Sequence, residues 1–325
     1  MAVFILRRLA QTLLVLFVTS GLVFGGLYLV GNPLEILVNP AADEIEKARA
    51  AAALGLDRPV LEQYWIFVKS ALGGDLGKSF VFGRPALEVI LERMPATLEL
   101  AFLAMLMSVG VGIPLGMYAG LYPEKTASKA IMAGSILGFS LPTFWVGLLL
   151  IMVFAVQLGW LPSTGRGPTE SIFGISISIL SLEGLRYAFL PSLNLALFKL
   201  SLIIRLTRAQ VREQALLDYI RFARAKGLPR SRVIGVHLLK NIMIPLVTVI
   251  GLELGSVIAF AIVTESVFAW PGMGKLVIDS IFQLDRPVVV AYLLVVVFMF
   301  ILINLTVDIL YAALDPRVRL DGTRA

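Results

Sequence analysis

The sequence predicts an all-α, polytopic membrane protein: a helical bundle of about six transmembrane helices with both termini in the cytoplasm. Of its 325 residues, 58% are hydrophobic and only 15% are charged, a balance rarely met in soluble domains. The mean hydropathy is +0.89. The apolar residues also fall in runs long enough to cross a bilayer, which takes about 20 residues as a helix because every backbone polar group must be satisfied within the segment.

Six such runs are read, at roughly 9–30, 96–121, 130–158, 187–206, 241–267 and 287–314. The first follows Arg7 and Arg8 and lacks a small-residue cleavage site before a polar segment. It is expected to remain as an anchor rather than to be removed as a signal peptide. Orientation follows from the basic residues, which collect in cytoplasmic loops. With the N-terminus inside, sixteen Lys and Arg are cytoplasmic and eleven are outside. Seven of those eleven lie in 31–94, where nine acids outnumber them. Long loops weigh little in this rule, so the dense cluster from Arg205 to Lys240 decides it.

The outside segment 31–94 contains "LGGDLGKSF" at 72–80, which ends like a phosphate-binding loop. The spacing excludes that reading, because Leu72 stands where the first glycine belongs. The preceding "PVLEQYWIFVKSAL" reads as an amphipathic helix with Leu61, Tyr64, Trp65 and Val68 on one face, not as a strand. Gly73, Gly74 and Gly77 are expected to supply positive φ in a turn.

Enzyme chemistry finds little material. There is no cysteine and one histidine, His237, so a Cys or His metal cluster and a disulfide are both excluded arithmetically. His237 reads as a helix-surface residue at the membrane boundary. The net charge of +6 gathers beside the spans, where topology explains it without nucleic acid.

Within the spans, Lys199, Glu253 and Asp308 are costly in lipid and are read as an interhelical polar pair or part of a pathway. Glu99 and Glu265 lie near the outer ends. Pro114, Pro142, Pro191 and Pro245 remove backbone donors and mark potential kinks. In 269–287, Pro271, Gly272 and Gly274 read as a turn, followed by a short interfacial helix with Leu276, Val277, Ile281 and Phe282. That segment is left open between a gate and a docking surface.

The cytoplasmic stretch "DYIRFARAKGLPRSRVIGVHLLKN", 218–241, is the most informative. Asp218 suits an N-cap, Arg224 and Lys226 suit a helix C-terminus, and Gly227 suits the left-handed position beyond it. Pro229 prevents continuation, and Ser231 is placed to cap a second helix. A two-turn helix bearing Ile220, Ala223, Ala225 and Leu228 has too little apolar surface to persist alone in water. A receiving surface is expected.

This stretch resembles the cytoplasmic "EAA" loop of ABC-importer permeases, in which Glu-Ala-Ala, three residues, Gly, nine residues and Ile-x-Leu-Pro recur. Anchored on Gly227, Ala223 and Leu239 match, while Arg221, Phe222, His237 and Lys240 depart from the general pattern. The departures are similar to those of the dipeptide, oligopeptide and nickel branch. "LGLDRPVLEQYW", "GDLGKSF", "PATLELA", "SLPTFWVG", "ESVFAWPGMGKL" and "DILYAALDPRVR" also resemble that branch, so the resemblance covers nearly the whole chain.

The resemblance implies a type I importer permease fold in a bacterial or archaeal cytoplasmic membrane. Its parts would be an N-terminal transmembrane helix at 1–30, an extracytoplasmic subdomain at 31–94, a core of five spans at 95–317 and a cytoplasmic tail at 318–325. A coupling loop at 207–240 would contact an ATPase through Asp218, Tyr219, Ile220, Arg221, Phe222, Ala223, Arg224, Ala225, Lys226, Gly227 and Leu228, with Ala223 on the docking face. It also implies a second related permease subunit, two ATP-binding subunits and an extracytoplasmic substrate-binding protein, all around membrane lipid. The chain itself would hold no cofactor, metal or catalytic residue; ATP and Mg would belong to the partner ATPases. Cargo in this branch includes peptides, nickel complexes, glutathione and conjugates. A rival ion-driven secondary transporter would use midplane acids, with Glu253 the strong candidate. An intramembrane hydrolase would need a base inside the bilayer, and the sole histidine lies outside it.

Overall fold

The structure, a computed structural model, describes residues 11, 14–26, 43–53 and 56–314. Described helices are α1 (Leu14–Gly26), α2 (Glu44–Ala53), α3 (Val60–Leu72), α4 (Ala86–Leu121) and α5 (Thr126–Ser140). They continue with α6 (Thr143–Gln157), α7 (Leu182–Gln214), α8 (Asp218–Ala225), α9 (Arg230–Val267), α10 (Met273–Phe282) and α11 (Arg286–Leu314). A short antiparallel hairpin, β1 (Glu170–Ile172) and β2 (Ile175–Ile177), pairs Ser171 with Ser176 between α6 and α7.

Among the described residues, α4, α7, α9 and α11 are each long and apolar enough to cross a membrane. The first expected run is described only over α1, and its flanks lie outside the described residues. The run expected as one span at 130–158 is not straight: α5 and α6 meet at 106°. Pro142 explains the break. Its ring disfavours helical geometry at the residue before it, so Leu141 is extended at φ −87°, ψ 137° and the helix restarts at Thr143. Pro191 and Pro245, by contrast, lie inside continuous helices.

The chain divides into two compact units, Met1–Pro95 with Pro271–Ile301, and Ala96–Trp270 with Leu302–Ala325. In the first, α3 packs on α1: the Tyr64 ring lies 5.4 Å from Phe24 and 6.2 Å from Phe17. The turn after α3 has positive φ at Gly74 and Gly77. Gly73 is different from expectation, at φ −82°, because it serves as the ordinary C-cap of α3. Beyond it, the buried Asp285 carboxylate accepts hydrogen bonds from the Ser79 hydroxyl and from the Phe80 and Val81 amides, the last two at 3.1 and 3.3 Å. These amides face a carboxylate of the same chain, whereas Lys78 is exposed. In α10, Gly274, Leu276 and Val277 are buried. Gly274 therefore belongs to the helix rather than the turn, and the interfacial face expected there is turned into protein at Leu276 and Val277.

The second unit is organised by a seam between α4 and α7. A Cβ added at Gly112 would meet Ile203 Cγ2 at 2.8 Å; at Gly116 it would meet Thr207 Cβ at 2.6 Å; at Gly120 it would meet Val211 Cγ1 at 2.6 Å. Glycines four residues apart form one face of a helix, and small residues let membrane helices approach closely where burial from water offers no drive. Ser108 Oγ adds a hydrogen bond across the seam to Ala196 O at 3.0 Å. On the other side of the unit, Gly251 makes a similar close approach to Val307.

Candidate coupling site

Two turns of helix emerge from this unit as α8. Leu217, with extended φ −72° and ψ 152°, occupies the N-cap, and no side chain caps the free amides there. Asp218 is therefore a first-turn residue and not the cap. Its carboxylate still lies favourably at the positive helix end, 3.6 Å from an Arg221 nitrogen in an exposed ion pair. The C-terminus is closed by a pair of hydrogen bonds, Gly227 N to Arg224 O at 3.0 Å and Leu228 N to Ala223 O at 3.3 Å. This is the Schellman arrangement, which requires a left-handed residue, and Gly227 has φ +71°. Pro229 takes the N-cap of α9, so Ser231 lies inside the helix and caps nothing.

Helix α8 has two unlike faces. Ile220 and Ala223 are buried in a cluster with Val211, Val233, Leu238, Ile242 and Leu246, and Tyr219 and Leu228 pack against it. The expectation that Ala223 faces a partner is thus corrected: a 5% exposed Ala223 is part of this chain's own core. The helix is also not left without support, since that cluster holds its inner face. The outward face carries Arg221, Phe222, Ala225 and Lys226, with Leu216 and Leu217 exposed at the entrance. Phe222 is 62% exposed, and the Lys226 ammonium lies 4.6 Å from its ring centroid. The ring therefore stands on the outer face of α8, away from the cluster that holds Ile220 and Ala223.

Polar contacts and a cavity surround this element. The Tyr219 hydroxyl donates to Gln214 Oε1 at 2.8 Å, and burial pushes its phenol above the usual tyrosine range, opposed by a hydrogen bond with Asn241. A cavity of about 330 Å³ lies under the helix, lined by Ile220, Arg224, Leu228, Arg230 and Val233 among others. The base of α9 is π-helical over Val233–Leu238. That turn includes His237, whose carbonyl accepts from Asn241 Nδ2 at 2.7 Å.

Deeper in the second unit, Lys199 on α7 and Glu253 on α9 stand together. Lys199 Nζ lies 2.5 Å from Glu253 Oε2 and 2.6 Å from Ser256 Oγ, and Ser256 Oγ donates to the same carboxylate oxygen at 2.9 Å. Asp308, named with them from sequence, is half-buried on α11. Glu99 and Glu265 are buried and partnered: Arg166 Nη2 and the Ser178 amide reach Glu99 Oε1 at 2.6 and 2.9 Å. Thr97 Oγ1 donates to Glu265 Oε1 at 2.6 Å. Among the described residues, no group of three or more His, Cys, Asp or Glu side chains is arranged to hold a metal. The glycine seam and the Ser79–Asp285 contact were not anticipated; the four-residue glycine spacing in "GIPLGMYAG" was the available signal for the first.

Known proteins match this chain over most of its length. Residues 112–320 match the model of the binding-protein-dependent transport system inner membrane component, and residues 1–101 match its N-terminal companion. The chain belongs to this family. This permease is 38% identical to the di/tripeptide transport system permease protein of Pseudomonas aeruginosa, over 97% of the chain and 98% of that protein. It is 37% identical to the glutathione transport system permease protein of Escherichia coli, with the same coverage of each. Its fold resembles the inward-facing MetNI methionine ABC transporter at a TM-score of 0.53 and 16% identity, covering 70% of this chain and 96% of that one. The permease is a multi-pass protein of the cytoplasmic membrane and a permease subunit of the peptide-type ABC importers.

Proposed function

We propose that this permease forms one half of the path by which an ATP-driven importer moves peptides or peptide-like solutes into the cytoplasm. The relatives named for di/tripeptides and for glutathione share a cargo chemistry: a short chain of amide bonds with charged ends. The rest of the machine is a second related permease subunit, two ATPases that hold ATP and Mg, and a binding protein outside that delivers the cargo. Closure of the ATPase pair reaches the spans through α8, and the path alternates its access.

The observation that carries this reading is the two-sidedness of α8, with Ile220 and Ala223 anchored in the permease and Phe222 left outside. Such a helix transmits a push, because its inner face is already part of the core. Phe222→Asp tests it. The expected result is loss of ATPase copurification and substrate uptake with normal insertion and unchanged thermal stability; retention of both activities overturns the assignment.

A further inference from the structure

The cavity of about 330 Å³ under α8 has a lining of two kinds. Leu121, Ile220, Leu228 and Val233 give it apolar walls, and Arg224 and Arg230, both exposed, bring guanidinium groups to it. None of the described residues that line it is acidic. Its volume falls at the lower end of the roughly 300–1,000 Å³ of small-molecule sites.

The two arginines are set there by the turn that separates them. The Arg224 carbonyl accepts from Gly227 N at 3.0 Å, Gly227 is left-handed at φ +71°, and Pro229 leads into α9, whose first residue is Arg230. Arg230 is held further, with its guanidinium carbon 5.2 Å from the centroid of the Tyr122 ring. Lys125 Nζ lies 4.9 Å from the same centroid. An aromatic face attracts each cation and neutralises neither. Among the described residues, no carboxylate forms an ion pair with Arg224, Arg230 or Lys125. The acid on α8, Asp218, faces Arg221 instead, at 3.6 Å. Like charges gathered at one recess repel one another, so an anion in it is favoured.

The recess lies at the border of the spans. Leu121 ends α4 and the apolar run at 96–121, and Arg230–Leu238 precede the run at 241–267. The orientation given by the basic residues makes this border cytoplasmic. Phosphate is met on both sides of such a border, on anionic lipid and in solution. A guanidinium pairs two phosphate oxygens by parallel hydrogen bonds, and basic pockets between membrane helices on this side suit phospholipid head groups. The apolar walls fit the carbon portion of a phosphate ester rather than a bare inorganic ion.

We infer that this recess binds a phosphate ester, with the phosphate on Arg224 and Arg230 and the carbon portion against Leu121, Leu228 and Val233. The site is separate from the outward face of α8 that carries Phe222. Its occupancy depends neither on the cargo nor on what α8 contacts.

The test uses the full-length permease, purified with its accompanying subunits and stripped of lipid. One arm adds dioleoylphosphatidylglycerol or dioleoylphosphatidylcholine and counts the lipid retained by native mass spectrometry; the other titrates glycerol 3-phosphate by calorimetry. Binding should appear in at least one arm, fall several-fold in the double variant Arg224→Gln with Arg230→Gln, and stay unchanged in Arg232→Gln, an exposed arginine outside the recess. Preferential retention of phosphatidylglycerol assigns the ester to lipid. Saturable binding of glycerol 3-phosphate, with equal retention of the two lipids, assigns it to solution. Ala215→Phe fills the recess and keeps both arginines, which gives a second reading if the double variant is unstable; it too should lose binding. Binding in neither arm overturns the inference, including the case in which an accompanying subunit covers the recess. Binding that persists in the double variant or in Ala215→Phe also overturns it, because surface charge and not the recess then holds the anion.

Discussion

Lys199 on α7 and Glu253 on α9 form an ion pair at 2.5 Å, with Ser256 bonded to both. The pair joins two helices that each cross the membrane, in a place where one charge alone is costly. Glu253→Gln should therefore lower the thermal stability of the purified permease, by an amount approaching the roughly 3–5 kcal/mol seen when one partner of a buried pair is removed. The loss is moderated because Glu253 keeps 23% of its side chain exposed. Replacing both, Lys199→Met with Glu253→Leu, should restore most of it. Uptake by that double variant separates the roles: a structural pair leaves uptake intact, and a group on the cargo path does not.

The glycine seam gives a sharper steric test. Gly116→Val places methyl groups where Thr207 and the Ile204 carbonyl already stand. Overpacking of this kind costs about 1–3 kcal/mol or more, and the variant should elute as a less stable, aggregating species in heated size-exclusion runs. Gly110→Ala, where a Cβ meets nothing within 4 Å, should be unaffected.

Gly227 and Ala223 fail in different ways. A Cβ on Gly227 meets no atom within 4 Å, so Gly227→Val acts only through its left-handed backbone, by about 1 kcal/mol or more. It should reduce ATPase copurification while the spans stay intact, and Gly227→Asn should retain function. Ala223→Asp buries a charge in the permease core and should lower the melting temperature of the permease itself.

In the "GKS" triplet, Lys78→Ala should leave ATP hydrolysis by the whole complex and its stability near normal, because Lys78 is exposed. Ser79→Ala should destabilise the protein, since it removes a donor to the buried Asp285. Loss of a buried hydrogen-bond partner costs about 1–3 kcal/mol. Thermal denaturation of both variants checks this.

Topology is checked with single cysteines. Glu46→Cys should react with an impermeant maleimide in intact cells, and Arg232→Cys only after permeabilisation. The opposite pattern reverses the orientation and removes α8 from the cytoplasm.

Features governed by local chemistry were legible in the sequence. Apolar run length located the long helices, and Gly227 with Pro229 marked the end of α8 before any contact was known. The facing of α8 was not legible, because a two-turn helix with Ile220, Phe222 and Ala223 has apolar residues on more than one side. Only the cluster around Val233 and Ile242 selects Ile220 and Ala223 as the inner set. Pro142 was noted, but its effect depended on the next residues restarting a helix at a new angle. Ser79 and Asp285 are 206 residues apart, and no local pattern joins them.

The seam of Gly112, Gly116 and Gly120 also orders events during synthesis. The ribosome completes α4 well before α7, and α5 and α6 are made in between. Until α7 arrives, the nascent chain carries an open notch along α4, lined by backbone rather than by side chains. A chain truncated after α6 keeps that notch unfilled and lacks Ile203, Thr207 and Val211, which close it. The arrival of α7 supplies the side chains that fill it.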